Sequence, residues 1–131
     1  MCLLDGVTDW DAVRVQAVST THHDPANPLR VGSRLPALCG IEYAAQAMAL
    51  HGALAGRTAG RPRAGYLAAL RHVVCHERWL DTHEDELMIE AQLEIGDGAR
   101  VIYGFVVRAG GAELLRGRAT VVLDVAAESS R

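Results

Sequence analysis

The spacing of hydrophobic positions changes character several times along the chain. Met1 to Leu4 is a short apolar run closed by Asp5-Gly6, a turn signal. From Trp10 to Val18 the pattern alternates, with Val13, Val15 and Ala17 on one side and Arg14 and Gln16 on the other. Alternation of period two predicts one half-buried strand there. The stretch from Thr20 to Pro28 then carries Pro25 and Pro28 among small polar residues and runs on through Gly32-Ser33. Each proline removes a donor and restrains its predecessor, so this stretch reads as a loop.

Pro36 stands at the head of a helical segment covering about residues 37–55, a position that suits proline. Leu38, Ile41, Ala44, Ala45, Ala47, Met48, Leu50 and Leu54 leave almost no polar side. A surface helix needs only one apolar stripe, so the pattern predicts a long central helix buried on most sides. Glu42, Gln46 and His51 interrupt it, and Gly56 to Gly60 ends it. It falls short of the ~20 unbroken apolar residues of a membrane span. Tyr66 to Cys75 reads as a strand. Leu87 to Ile95 alternates, with Leu87, Ile89, Ala91, Leu93 and Ile95 on one face. Arg100 to Arg108 and Glu113 to Asp124 follow, joined by the turns Gly96-Asp97-Gly98 and Ala109-Gly110-Gly111-Ala112. Such short turns make neighbouring strands antiparallel. The fold class is α+β: one long buried central helix wrapped by a curved antiparallel sheet. Residues 1–125 are expected as a single domain and 126–131 as a frayed tail.

The 131 residues suit one domain. Lysine is absent, the arginines are scattered among acids, and the net charge is −3, which excludes nucleic acid as an expected partner. Cys2, Cys39 and Cys75 are odd in number and unpaired in spacing, as in a cytoplasmic protein with reduced thiols. The start, Met1-Cys2-Leu3-Leu4-Asp5, is too short and too soon acidic for a signal peptide. Neither a membrane nor a cofactor is implied. His72, Cys75 and His76 hint at a metal, but a strand separates His72 from His76 by about 13 Å, too far to share an ion. Cys39 lies near the helix start, where a thiolate would be favoured. Without an adjacent base it reads as a small packed residue. His22 reads as a solvated neighbour of His23.

The chemistry concentrates in His23-Asp24-Pro25-Ala26-Asn27-Pro28, Leu35-Pro36-Ala37 and Glu42-Tyr43-Ala44-Ala45-Gln46. A histidine sits in a proline-stiffened loop before the helix, a carboxylate about one turn into it, and a glutamine four residues on along the same face. A glutamate in an apolar helix is costly without a partner or a task. Burial would raise its pKa and hold it protonated, as an acid catalyst needs. Histidine titrates near neutrality and can serve as base. First-turn N–H groups, around Ala37 and Leu38, can hold a thioester carbonyl and the enolate-like charge that follows loss of its α-proton.

The run H-x-P-x-x-P, a Pro-small pair and E-x-x-A-Q resembles the active-site signature of 3-hydroxyacyl-[acyl-carrier-protein] dehydratases, which have a hot-dog fold. Gly40-Ile41-Glu42-Tyr43-Ala44-Ala45-Gln46, Gly65-Tyr66-Leu67-Ala68 and the initial Met1-Cys2-Leu3-Leu4-Asp5 look closest to the dehydratase-like proteins of aryl-polyene biosynthetic clusters. The resemblance implies a lyase of fatty-acid or polyene-type biosynthesis that removes water from a 3-hydroxyacyl thioester, on acyl carrier protein or coenzyme A, to give a trans-2-enoyl thioester. It makes His23 the base, Glu42 the acid, Ala37 and Leu38 the carbonyl donors, and Gln46, Pro28 and Pro36 supporting residues. It also implies a homodimer with sites at the subunit interface, and a paralogous hot-dog subunit as a further partner. The chain departs from the pattern in a longer loop through Leu29 to Arg34, in alanine for the usual glycine after Pro36, and in Asp24 for the usual aromatic. Two alternatives stay open. One is a hot-dog thioesterase in which Glu42 activates water and His23 is incidental, although His23 in its proline-rich loop tells against it. The other is a non-catalytic hot-dog subunit, toward which the longer loop and the short N-terminal segment count.

Overall fold

The computed structural model describes residues 1–55, 65–96 and 99–123. Strand β1 (Gly6–Trp10) turns into β2 (Arg14–Ser19), and helix α1 covers Gly40–Leu54. Strands β3 (Gly65–Cys75), β4 (Leu87–Gly96), β5 (Arg100–Ala109) and β6 (Ala112–Leu123) follow. They form one six-stranded sheet in the order β1-β2-β4-β5-β6-β3, antiparallel at every pairing. The α+β expectation of one helix against an antiparallel sheet holds.

The segment from Trp10 to Val18 is two strands and not one. The Asp11 carboxylate accepts the Val13 N–H at 2.9 Å, and the Asp11 N–H donates to Arg14 O at 2.8 Å. Asp11 thus builds a turn from its own side chain, inside a run whose alternation looks unbroken. Between β5 and β6, Gly110 (φ 57°) and Gly111 (φ 85°) occupy the two left-handed positions of a tight hairpin. Residues 56–60, 97–98 and 126–131, expected as the helix end, part of a turn and a frayed tail, lie outside the described residues.

The helix begins as a 3-10 turn over Ala37–Cys39 and becomes α-helical at Gly40. Its buried face is Gly40, Tyr43, Ala44, Ala47, Met48, His51 and Gly52, the three-and-four spacing of one stripe. The opposite side, with Glu42, Ala49, Leu50, Ala53 and Leu54, is exposed, which corrects the expectation of burial on most sides. One sheet can cover only one side of a helix. The core joins that stripe to Val15 and Ala17 of β2, Leu87, Ile89 and Ala91 of β4, Tyr103, Phe105 and Val107 of β5, and Leu115 and Ala119 of β6. Each large side chain buried here contributes about 1.5–3 kcal/mol. The β4 alternation holds as far as Ala91; a bulge between Leu93 and Ile95 then leaves Ile95 65% exposed. His51 is buried with Nδ1 2.7 Å from the Tyr103 hydroxyl and Nε2 2.9 Å from Asp11 O. It fastens the end of α1 to β5 and to the β1–β2 turn. No helix among the described residues is long and apolar enough to cross a membrane.

Candidate active site

Beyond β2 the chain makes a single 3-10 turn, Thr21–His23, which buries one of the two adjacent histidines and exposes the other. His23 is exposed, whereas His22 is fully buried, correcting its reading as a solvated residue. His22 Nε2 lies 3.0 Å from His83 O. A carbonyl only accepts, so Nε2 carries the proton and Nδ1 is the bare nitrogen, buried without a partner among the described residues. Burial, reinforced by the neighbouring His23, pulls the His22 pKa below the ordinary histidine value. The two rings lie 4.0 Å apart between centroids, so an uncharged imidazole backs the exposed one.

The loop after His23 is tied at several points. Asp24 Oδ1 accepts the Ala26 N–H at 2.8 Å and Asn27 Oδ1 the Leu29 N–H at 2.9 Å, two side-chain turns next to prolines. Arg30 reaches back into the turn: its Nε donates to Asp24 O at 2.8 Å and one Nη to His22 O at 3.0 Å. Its other Nη donates to Ser33 O at 2.7 Å and lies 3.6 Å from Asp81. Asp81 also receives Arg34 Nε at 3.1 Å and the Leu35 N–H at 3.3 Å. Desolvation pushes the Asp81 pKa up, but the bonds from Leu35 and Arg34 outweigh it and hold the pKa below the usual carboxylate value. The longer stretch from Leu29 to Arg34 is therefore clamped by arginines on a partner some fifty residues away in sequence. Nothing local in the sequence marks Arg30 or Asp81 for this task.

A buried polar chain joins this loop to the helix. Asn27 Nδ2 donates to the Tyr43 hydroxyl at 3.0 Å, which lies 2.8 Å from Thr21 Oγ1. Thr21 Oγ1 in turn donates to Leu3 O at 2.7 Å. Because Thr21 uses its proton on Leu3 O, Tyr43 must donate to Thr21. Ser19 Oγ also donates to Leu3 O. Burial raises the Tyr43 pKa despite its two polar partners, so the hydroxyl keeps its proton. Both flanks of His23 are thus bolted to the residue that follows Glu42.

Pro36 (φ −58°, ψ 144°) precedes the helical start and bridges to Trp79. The Ala37 N–H, expected to be free for a thioester carbonyl, instead donates to Arg78 O at 2.9 Å. That leaves the Leu38 N–H as the first-turn donor of the expected pair, on a residue 59% exposed. Glu42 is exposed and not buried, because a helix that turns Tyr43 and Ala44 to the core points residue 42 to the open side. It makes no hydrogen bond with His23 among the described residues. Gln46 clasps the N-terminal segment, its Oε1 accepting the Leu3 N–H at 2.7 Å and its Nε2 donating to Met1 O at 3.0 Å. Pro28 is exposed at the loop surface. Burial, with a smaller push from Glu42, raises the Cys39 pKa, so the helix start does not favour its thiolate. His72 sits in a bulge with φ 56°, and His76 Nε2 lies 2.8 Å from Glu113. No cluster of metal-ligand type is present among the described residues.

Comparison with solved structures gives the fold. A chain of the dehydratase heterocomplex ApeI:P from Xenorhabdus doucetiae superposes with a TM-score of 0.79 at 22% identity, covering 92% of this chain and 82% of that one. A mutant thioesterase from Pseudomonas aeruginosa gives a TM-score of 0.65 at 11% identity over 89% of this chain and 78% of that one. A hypothetical thioesterase protein with coenzyme A from Streptococcus pneumoniae gives 0.62 at 11% over 89% and 83%. These likenesses make the fold a hot dog. No curated protein matches the chain. The ApeP-like family model, described as ApeP dehydratase, matches residues 1–129. The chain therefore belongs to the ApeP-like dehydratase family, and its function is dehydratase-like.

Proposed function

We propose that this protein eliminates water from a 3-hydroxyacyl thioester, carried on acyl carrier protein or coenzyme A, as a lyase of fatty-acid or aryl-polyene-type biosynthesis. The observation that carries the reading is the pairing of the dehydratase family with an exposed His23 and an exposed Glu42 on an otherwise apolar, uncovered helix side. His23 takes the α-proton, Glu42 protonates the departing hydroxyl, and the Leu38 N–H supports the thioester carbonyl. Gln46 supports the site by fixing the N-terminal segment against α1. Pro28 and Pro36 stiffen the approaches to it.

One chain leaves this site half built, and a second copy completes it. Strand β3 ends the sheet, with Leu67, Leu70 and Val74 exposed along it, and Leu38, Leu50 and Leu54 are exposed on the helix. An open edge strand beside bare apolar residues favours pairing with another edge. The homodimer brings one chain's His23 to the partner's Glu42, at an interface that shields the pair from water. The free thiols of Cys2, Cys39 and Cys75 fit a cytoplasmic setting.

A second reading is favoured by the heterocomplex: ApeI:P is a dehydratase built with two components, so a paralogous hot-dog subunit can supply part of the machinery. Incubating the pure protein with 3-hydroxyacyl thioesters, alone and with such a paralogue, and weighing the products separates the cases. Loss of one water by the protein alone supports the lyase; loss only with the paralogue supports the partner subunit. Release of the thiol identifies a thioesterase and contradicts both.

A further inference from the structure

A second constellation lies on the face of the sheet away from α1. Its orientation follows from the register. Val101, Tyr103 and Phe105 of β5 face the core, so Gly104 between them faces outward. Gly104 pairs with Arg118 of β6, and Arg118 pairs with Arg71 of β3. Residues directly opposed in antiparallel strands share a face, so Arg71 and Arg118 rise from neighbouring strands on the exposed side of the sheet. Like charges in that relation oppose the pairing. Glu94 Oε1, 3.1 Å from Arg118 Nε, answers one of them. Arg71 has no ion-pair partner among the described residues.

Both arginines, with Arg100 and Thr120, line a groove of about 550 Å³ in which Glu94 is the one carboxylate among the described lining residues. Gly104 keeps room for that carboxylate, since a Cβ there would lie 2.8 Å from Glu94 Oε2. The rest of the lining is largely apolar, including Ala69, Ile95 and Ile102. We propose that this groove is a binding subsite for a phosphate group attached to an organic body, with Arg71 and Arg118 as its guanidinium donors and Thr120 as a hydroxyl donor. Guanidinium forks match phosphate oxygens in pairs, and among the described lining residues three arginines stand against one carboxylate. The apolar walls suit the body that bears the phosphate. The site lies across the sheet from α1, and the inference does not depend on the assignment of His23 and Glu42.

The test uses the full chain, with inorganic phosphate and pyrophosphate as probes against chloride at equal ionic strength, followed by calorimetric titration and thermal shift. Saturable binding to the parent is expected, weakened at least ~10-fold by Arg71→Gln or Arg118→Gln, the scale of one charge-assisted bond. Glu94→Gln, which removes the competing carboxylate, should tighten it. His23→Ala should bind as the parent does, which separates this site from the dehydratase reading. Parallel titrations with coenzyme A and with a phosphopantetheinylated carrier protein identify the source as whichever loses affinity on Arg71→Gln. Phosphate acting no differently from chloride, or Arg71→Gln binding like the parent, overturns the proposal.

Discussion

Replacing Tyr43 by phenylalanine removes one oxygen from the middle of the chain Asn27–Tyr43–Thr21–Leu3 and leaves the ring in place. Two hydrogen bonds disappear, at 3.0 Å from Asn27 and 2.8 Å to Thr21. A net hydrogen bond contributes about 1 kcal/mol. Neither partner is wholly orphaned, because Asn27 Nδ2 also donates to Thr21 O at 3.0 Å and Thr21 Oγ1 keeps Leu3 O. The loss should therefore be about 1.5–2.5 kcal/mol, not the larger cost of an unsatisfied buried group. Urea unfolding should show a lower midpoint with an unchanged slope. Asn27→Ala should cost a similar amount, and the double variant less than the sum, because both cut the same network. Dehydration should fall as well, since the loop that holds His23 loses its bolt to α1. A Tyr43→Phe variant within about 0.5 kcal/mol of the parent, or strict additivity with Asn27→Ala, would refute the reasoning.

Gly40→Ala should be destabilising, because its new methyl would strike the buried Leu115 side chain; overpacking costs about 1–3 kcal/mol, more than the ~1 kcal/mol helix preference it gains. Thermal unfolding checks this, and an unchanged midpoint contradicts it. His22 makes stability depend on pH: its folded pKa lies below the unfolded value of about 6.5. Its contribution is complete above that pH and is lost as pH falls through the folded value, since the unfolded chain then binds more protons. His22→Gln keeps a donor for His83 O without titrating, so its urea midpoint should fall less than the parent's between pH 7.5 and 5; parallel falls would contradict the assignment.

How far these residues were legible in the sequence depends on how local their causes are. The strands β4 to β6 follow from alternation and from Gly110-Gly111, whose left-handed backbone is a local demand. The β1–β2 turn escaped because Val13 continues the alternation while Asp11 quietly caps the turn. The motif histidine and glutamate were visible as chemistry, but their burial was not. His22 and His23 are identical in type, and the one that turns inward meets a carbonyl, that of His83, some sixty residues away in sequence. Glu42 stands among apolar residues that a sequence reads as core, although a single chain covers just one side of α1. Arg30, Asp81 and Asn27 matter through partners distant in sequence, and no periodicity reports such pairs. The apolar side of α1 that remains bare is itself a sequence feature, and the proposed second chain would cover it.

The central claim is that His23 and Glu42 act as base and acid in one site built from two chains, and mixing variants tests it most directly. His23→Ala and Glu42→Gln should each lower dehydration of a 3-hydroxyacyl thioester at least ~10²-fold, the usual contribution of a positioned acid or base. When the two inactive proteins are unfolded together and refolded in equal amounts, about half of the dimers carry one chain of each kind, and each of these has one intact site. Activity should return to about a quarter of the parent's by that count. A mixture that stays inactive while co-refolded parent regains full turnover, or single variants that dehydrate at the parent rate, would contradict the account.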